Sequence, residues 1–91
     1  MNYLISYDIS DDKVRLKVSN ELENCGQRVQ ESVFECNLNS DKITDLTAVL
    51  NSLLAGKGNI RLYPLCKECY EKSIGIGEFT SLAGDEGFAI F

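Results

Sequence analysis

The sequence contains no histidine, a single proline and a single methionine among its 91 residues. Without histidine the chain lacks the commonest general base, and neither a Ser-His-Asp nor a Cys-His arrangement is available. Carboxylates are therefore the candidates for acid, base or metal chemistry. The sequence also lacks a run of the ~18 apolar residues that span a bilayer, and it has no basic segment followed by an apolar leader. These absences predict a soluble, cytoplasmic protein with no membrane partner.

The length and composition fit one small globular domain, with 44% hydrophobic and 25% charged residues. A domain of this size buries only roughly 60–65% of its unfolded surface, so a homodimer would support a marginal core. The net charge of −5 argues mildly against a nucleic-acid partner. However, residues 1–70 carry ten acids and eight bases, whereas residues 71–91 carry four acids and one base. The body is close to neutral, which leaves room for a local basic patch.

The stretch from Asn2 to Ser10 is mostly apolar and aromatic and predicts a buried strand that ends at Asp8, with Ser10 capping the following helix. A carboxylate at such a strand end is costly to leave unpaired, so a cation, a hydrogen-bond donor or a metal should compensate it. Asp8 could cap the helix or pair with Arg15. Alternatively it is half of a metal site, because one carboxylate is too few for Mg²⁺ and two copies across a dimer axis supply a pair.

Hydrophobic spacing predicts the remaining elements. Apolar residues at intervals of three and four predict two helices. Between them, apolar and polar residues alternate, and this alternation shifts by one residue, which predicts two short paired strands or one strand with a bulge. Proline should place the last of these strands at a sheet edge or end. The predicted elements are a helix from Asp11 to Cys25 ended by Gly26, strands within 27–38 broken at Glu31-Ser32, a second helix capped by Ser40 and ended by Gly56, and a strand over 60–65 that contains Pro64.

This order of strand, helix, strand, strand, helix, strand predicts a ferredoxin-like βαββαβ α+β sandwich over residues 1–70. Its first strand should lie in the middle of the sheet, with two helices on one face. The other face would be uncovered and is a natural dimer surface. A C-terminal tail, residues 71–91, ends in an apolar segment that we expect to form a last short strand on its own sheet or a partner's: Gly87, Phe88, Ala89, Ile90 and Phe91.

Cys66 and Cys69 form a CxxC motif. Zinc would need two more ligands, and the sequence offers no histidine and no second close cysteine pair. A redox site would place the pair where a strand enters a helix, which the position after Leu65 allows only loosely. Reduced, structural thiols are therefore the favoured interpretation, with redox and metal roles as alternatives.

Three sequence blocks together resemble the CRISPR-associated protein 2 family: Tyr7–Lys13, Gly26–Gln30 with Ser32–Cys36, and Arg61–Cys66 with Cys69. The resemblance implies a ferredoxin-like homodimer in which the C-terminal strand of one protomer joins the partner's sheet. It further implies the central piece of a spacer-acquisition complex, which is held between CRISPR integrase subunits and spans duplex DNA.

The resemblance also implies site residues. Asp8 matches the family's metal-binding and catalytic acid, at which members are described as Mg²⁺-dependent endonucleases acting on RNA or duplex DNA. Arg15 and Arg28 match positions where the family tends to be basic, and with Lys13 and Lys17 they are the candidate nucleic-acid contacts. Glu31 departs from the aromatic residue common there. The alternative for the basic residues is that they are ordinary surface charges. The alternatives for the protein are a purely structural DNA-positioning scaffold and a toxin-type ribonuclease of the same fold.

Overall fold

The structure, a computed structural model, describes residues 1–77 and 89–90. Of the helices in this part of the chain, none is both long and apolar enough to cross a membrane. The elements in chain order are β1 (Asn2–Asp8), α1 (Asp12–Cys25), β2 (Gly26–Gln30), β3 (Val33–Asn37), α2 (Ser40–Leu54), β4 (Asn59–Leu65), α3 (Lys67–Glu71), β5 (Ile74–Gly75) and β6 (Ala89–Ile90).

The first four strands form one antiparallel sheet in the order β2-β3-β1-β4. The α+β class and the ferredoxin-like order are therefore confirmed, with β1 in the middle. β4 lies at the edge, where the missing N–H of Pro64 is tolerated, as predicted.

Side chains of the central strand alternate between the two faces of the sheet. Ile5 and Tyr7 are buried with residues of α1 and α2, so that this face is covered by the helices. Leu4, Ser6 and Asp8 point to the other face. Cross-strand partners share a face, so the register assigns the side opposite α1 and α2, which we call the open face, to Leu4, Ser6, Asp8, Val33, Glu35, Asn59, Arg61 and Tyr63.

The core lies between the sheet and the two long helices. Four of its side chains, Ile5, Val18, Leu22 and Phe34, have no exposed surface. Each fully buried side chain of this kind contributes about 1.5–3 kcal/mol relative to an exposed one. The covered face and not the open face therefore carries the packing that specifies the monomer fold.

Both long helices are capped one residue away from the serine that the sequence favours. Asp11 caps α1 in place of Ser10, and Asn39 caps α2 in place of Ser40. In each case a side-chain oxygen accepts from the amide three residues on, at 3.0 and 2.8 Å. Since Asp and Asn cap at least as well as Ser, adjacent candidates of this kind leave the start of a helix uncertain by one position.

Gly26 ends α1 as predicted, but its φ of −168° is extended and not left-handed, and the residue also begins β2. The glycine is required by space, because a Cβ here would lie 2.2 Å from the Glu35 carbonyl oxygen and 2.5 Å from Cys36 Sγ. At the end of α2 the left-handed C-cap is Ala55, and Gly56 follows it with a φ of +77°.

The predicted change of phase between residues 27 and 38 is resolved as two features. A turn at Glu31 and Ser32 separates β2 from β3. The register also shifts between Arg28 and Gln30, which makes a bulge near the end of β2.

The C-terminal part contains one helix that the sequence did not predict, α3. After it, β5 pairs in parallel with β6 of the same chain. Gly87, Phe88 and Phe91 of the predicted final strand lie outside the described residues. Exchange of this strand onto a partner protomer stays a prediction.

Candidate functional site

A cleft of ≈ 540 Å³ lies beside the end of β1, where the chain passes into α1. It is bounded by the β1–α1 junction, one side of α1 and the β2–β3 turn. Predicted site residues Asp8, Arg15 and Arg28 all line it. The remaining lining residues are Tyr7, Ile9, Asp12, Leu16, Ser19, Glu31 and Ser32.

Asp8 is the last residue of β1 and is exposed at the rim of the open face, opposite Asn59 of β4. Its carboxylate makes no hydrogen bond or ion pair with any of the described residues. The two alternatives in which Asp8 caps α1 or pairs with Arg15 are therefore wrong. Because Asp8 is exposed to solvent, its carboxylate needs no partner within the chain and is free to bind a cation.

Gly58 holds the backbone at this strand end. Its φ is +119°, and a Cβ there would lie 2.5 Å from the Asp8 carbonyl oxygen and 3.2 Å from Ile9 Cα. The loop before β4 therefore approaches β1 closely because residue 58 has no side chain. The neighbouring Lys57 pairs with Asp11 at 3.6 Å. The pKa of Asp11 is lowered mainly by the helix amide that it caps, with a smaller contribution from Lys57.

Arg15 lies over the β1–α1 junction. Its Nη1 donates to the carbonyl oxygens of Ile9 at 3.0 Å and Ser10 at 3.4 Å, and its Nη2 pairs with Asp12. The guanidinium therefore folds toward the strand end, as the sequence allowed, but its charge is balanced by Asp12 and not by Asp8. Its side chain remains 44% exposed, so that one side of the guanidinium can still meet an anion.

Arg28 is held in place from three directions. Its Nη2 pairs with Glu23 at 2.9 Å, its Nη1 donates to the Glu31 carbonyl, and its guanidinium carbon lies 4.8 Å from the centre of the Phe34 ring. Tyr7, whose ring stacks on Phe34, also donates to the Glu31 carbonyl at 3.2 Å. The Glu23 contact raises the pKa of Arg28 further. Through these contacts Arg28 stabilises the β2–β3 turn.

Lys13 and Lys17 lie on the exposed side of α1, and neither forms an ion pair with the described residues. Of the four predicted nucleic-acid contacts, the two lysines are thus free, whereas the two arginines are already paired. The cleft itself holds Asp8, Asp12 and Glu31 beside the two arginines. A single chain therefore offers phosphate only a weakly basic surface at this point.

The described residues offer few ligands for a metal ion. Within residues 1–77, no three cysteine, aspartate or glutamate side chains come close enough together to hold a metal. Mg²⁺ is commonly held by one or two carboxylates plus waters and substrate phosphates. One free carboxylate per chain fits that chemistry only when a second chain or a phosphate supplies further oxygens.

The comparisons with known proteins give the family. The family described as "CRISPR associated protein Cas2" matches residues 1–73. The chain belongs to the Cas2 family. A relative from Chloroflexus aurantiacus named "CRISPR-associated endoribonuclease Cas2 1" is 48% identical over 80 residues, which covers 86% of each chain.

Two solved structures agree in fold with this Cas2-family chain. Streptococcus pyogenes Cas2 is 32% identical with a TM-score of 0.68, covering 74% of this chain and 88% of that one. A chain of a "Partial Cas6-RT-Cas1--Cas2 complex" is 36% identical with a TM-score of 0.71, covering 79% of this chain and 86% of that one. The predicted family membership is confirmed.

Sequence reasoning missed the partners of the arginines and the role of Gly58. The Asp12–Arg15 pair has the i, i+3 spacing of a helical ion pair, and this signal could have identified it. The Glu23–Arg28 pair and the contact of Gly58 with Asp8 join separate elements. No local pattern in the sequence indicates either of them.

Proposed function

We propose that this Cas2-family protein acts as a homodimer that positions duplex DNA during CRISPR spacer acquisition, between subunits of the integrase. The observation that carries the proposal is that Lys13 and Lys17, on the exposed side of α1, form no ion pair with the described residues. Family membership supplies the context, since one structurally similar chain comes from a Cas1–Cas2 complex.

The open face is suited to bind a second copy of the chain. Tyr63 is 45% exposed there, opposite half-buried Leu4 and on the same face as half-buried Val33. A sheet stabilises a small domain by burying both faces, and a twofold dimer places the same patch on both sides of the interface. We infer that the open faces of two protomers stack, which would leave both Asp8 residues on one edge of the dimer.

The charges favour positioning over rapid turnover. Arg15 and Arg28 are both paired with carboxylates of their own chain, so neither is a free clamp for a reacting phosphate. Lys13 and Lys17, by contrast, present unpaired charges along an exposed helix side, where phosphate contacts fix the register of a duplex without cleaving it. A dimer doubles this lysine pair.

Mg²⁺-dependent cleavage of RNA or DNA is the second candidate function. It is favoured by the unpaired Asp8 and by the name of the Chloroflexus relative, an endoribonuclease. Two Asp8 carboxylates would hold the ion in the dimer. When bound, it would supply an activated water and charge stabilisation at a phosphate oxygen.

An Asp8→Asn variant tests the two functions in one system. The purified dimer is combined with the integrase subunit, and insertion of a duplex DNA into a CRISPR repeat is measured beside Mg²⁺-dependent cleavage of RNA and DNA. We expect insertion within about twofold of wild type, and loss of any cleavage, because removing one charge per protomer leaves the lysines in place.

Asp45→Asn is the matched control, because Asp45 is an exposed carboxylate on α2 away from the cleft. It removes the same charge and should change neither insertion nor cleavage. If Asp8→Asn still dimerises but insertion falls more than tenfold while Asp45→Asn inserts normally, positioning alone does not explain the function.

A further inference from the structure

The CxxC pair is the cluster of reactive side chains that the proposed function does not use. Cys66 is the residue before α3, and Cys69 lies in its single turn. Both are exposed free thiols. The Cys69 amide donates to Cys66 Sγ at 3.4 Å. The α3 turn therefore folds the chain so that both sulfurs lie on the same side and within reach of solvent.

The two thiols differ in acidity because of this arrangement. Hydrogen bonds from the Cys69 amide and the Cys69 thiol stabilise negative charge on Cys66 and lower its pKa. The same contact raises the pKa of Cys69. Since a thiolate is the attacking species in disulfide exchange, Cys66 is suited to attack first and Cys69 to follow.

The other two cysteines have the opposite character. Cys36 is 2% exposed, and burial raises its pKa to about 11. Cys25 is half-buried, and burial raises its pKa as well. The chain thus contains one accessible dithiol and two sheltered thiols, which serve as internal controls.

We propose that Cys66 and Cys69 form a redox-active dithiol that closes to an intramolecular disulfide by exchange with small-molecule disulfides. In the first step the Cys66 thiolate attacks a disulfide RS–SR, forming a mixed disulfide and releasing RS⁻. In the second step the Cys69 thiolate attacks Cys66 Sγ and releases the second RS⁻. The protein loses two electrons and two protons, and the disulfide is reduced to two RSH. This proposal does not depend on the proposed function.

A purely structural role for the motif gives a different expectation. Cys66 accepts from the first turn of α3 as a cap, and serine performs that task at least as well. If capping were its only role, Cys66 and Cys69 would show no preference for each other upon oxidation. Exposure argues further against a packing role, because neither side chain is buried in the core.

Oxidation of the full-length protein by oxidised glutathione at pH 8 tests the proposal. After acid quenching, denaturation and alkylation, peptide mass spectrometry locates the disulfide. We expect Cys66 joined to Cys69 in the same chain, with Cys25 and Cys36 alkylated. In the native reduced protein we expect Cys66 to react with iodoacetamide at least about tenfold faster than Cys36, because thiolate fraction and exposure both favour it.

Two serine variants separate the steps. Cys69→Ser should accumulate a stable glutathione adduct on Cys66, whereas Cys66→Ser should form no intramolecular disulfide and little adduct. Cys25→Ser, the matched control, should oxidise like wild type. A disulfide between Cys25 and Cys36, a disulfide joining two protomers, or equal alkylation rates at Cys66 and Cys36 would overturn the proposal.

Discussion

Substitution of Gly58 by alanine tests how the strand end that carries Asp8 is held. Residue 58 has a φ of +119°, and an added Cβ would lie 2.5 Å from the Asp8 carbonyl oxygen. Gly56 is the matched control, because its φ of +77° is also positive but no atom lies within 4 Å of an added Cβ. Both variants place a side chain at a positive φ, but only Gly58→Ala brings that side chain against β1.

The magnitudes follow from this difference. For Gly56→Ala, a left-handed residue costs about 1–2 kcal/mol, and the loss of unfolded-chain entropy returns about 0.4–1 kcal/mol, so we expect a net destabilisation of about 1 kcal/mol. Gly58→Ala adds a contact that forces β1 and the loop apart, and overpacking of this kind costs about 1–3 kcal/mol. We therefore expect Gly58→Ala to be less stable than Gly56→Ala by about 2 kcal/mol.

Urea denaturation at one fixed protomer concentration measures the difference, since dimerisation makes apparent stability depend on concentration. With an m-value of about 1.5 kcal/mol/M, the two midpoints should differ by about 1.3 M urea. Equal midpoints, or a lower midpoint for Gly56→Ala, would refute the claim that the close contact of Gly58 with the Asp8 backbone stabilises this strand end.

Two further predictions concern single side chains. Burial raises the pKa of Glu35, and its Oε2 has no hydrogen-bond partner among the described residues, so the folded chain binds this proton more tightly than the unfolded chain. The free energy of unfolding should therefore fall as pH rises from about 4.5 through the raised pKa of Glu35. Thermal unfolding at monomeric concentrations should show this fall in wild type and not in Glu35→Gln. If the pH profile of Glu35→Gln equals that of wild type, the burial argument is contradicted. Arg15→Ala should cost about 1 kcal/mol in urea unfolding because its bonds to the Ile9 and Ser10 carbonyls are lost, whereas Lys17→Ala should leave the midpoint unchanged. Equal effects of the two substitutions would show that the Arg15 contacts do not stabilise the junction.

Much of the fold could be predicted because its determinants are local. The apolar run of β1, the helical stripe ending near Cys25 and the single proline of β4 each gave the right element and the right place in the sheet. The helix caps were missed by one residue because Ser10 stands beside Asp11, and Ser40 beside Asn39, and each of these residues can cap.

The site could be predicted only in part, for a physical reason. The end of a buried strand marks Asp8 in the sequence, but whether its carboxylate is paired depends on residues from other elements. Arg15 was an open candidate partner, and only the folded chain shows it bound to Asp12. In the same way Gly58 contacts Asp8 across fifty positions of sequence, a distance at which spacing carries no signal.

The central claim is that two protomers stack their open faces to form the dimer that positions DNA. Sedimentation velocity tests it most directly, with Tyr63→Arg and Val49→Arg each measured alone and with a short DNA duplex. Tyr63 is 45% exposed on the open face, and Val49 is 40% exposed on α2. An arginine buried without a partner destabilises an interface by several kcal/mol. We predict that wild type and Val49→Arg sediment as dimers and bind the duplex with two protomers, whereas Tyr63→Arg sediments as a folded monomer that binds DNA weakly. A dimeric Tyr63→Arg protein that binds the duplex like wild type would contradict the account.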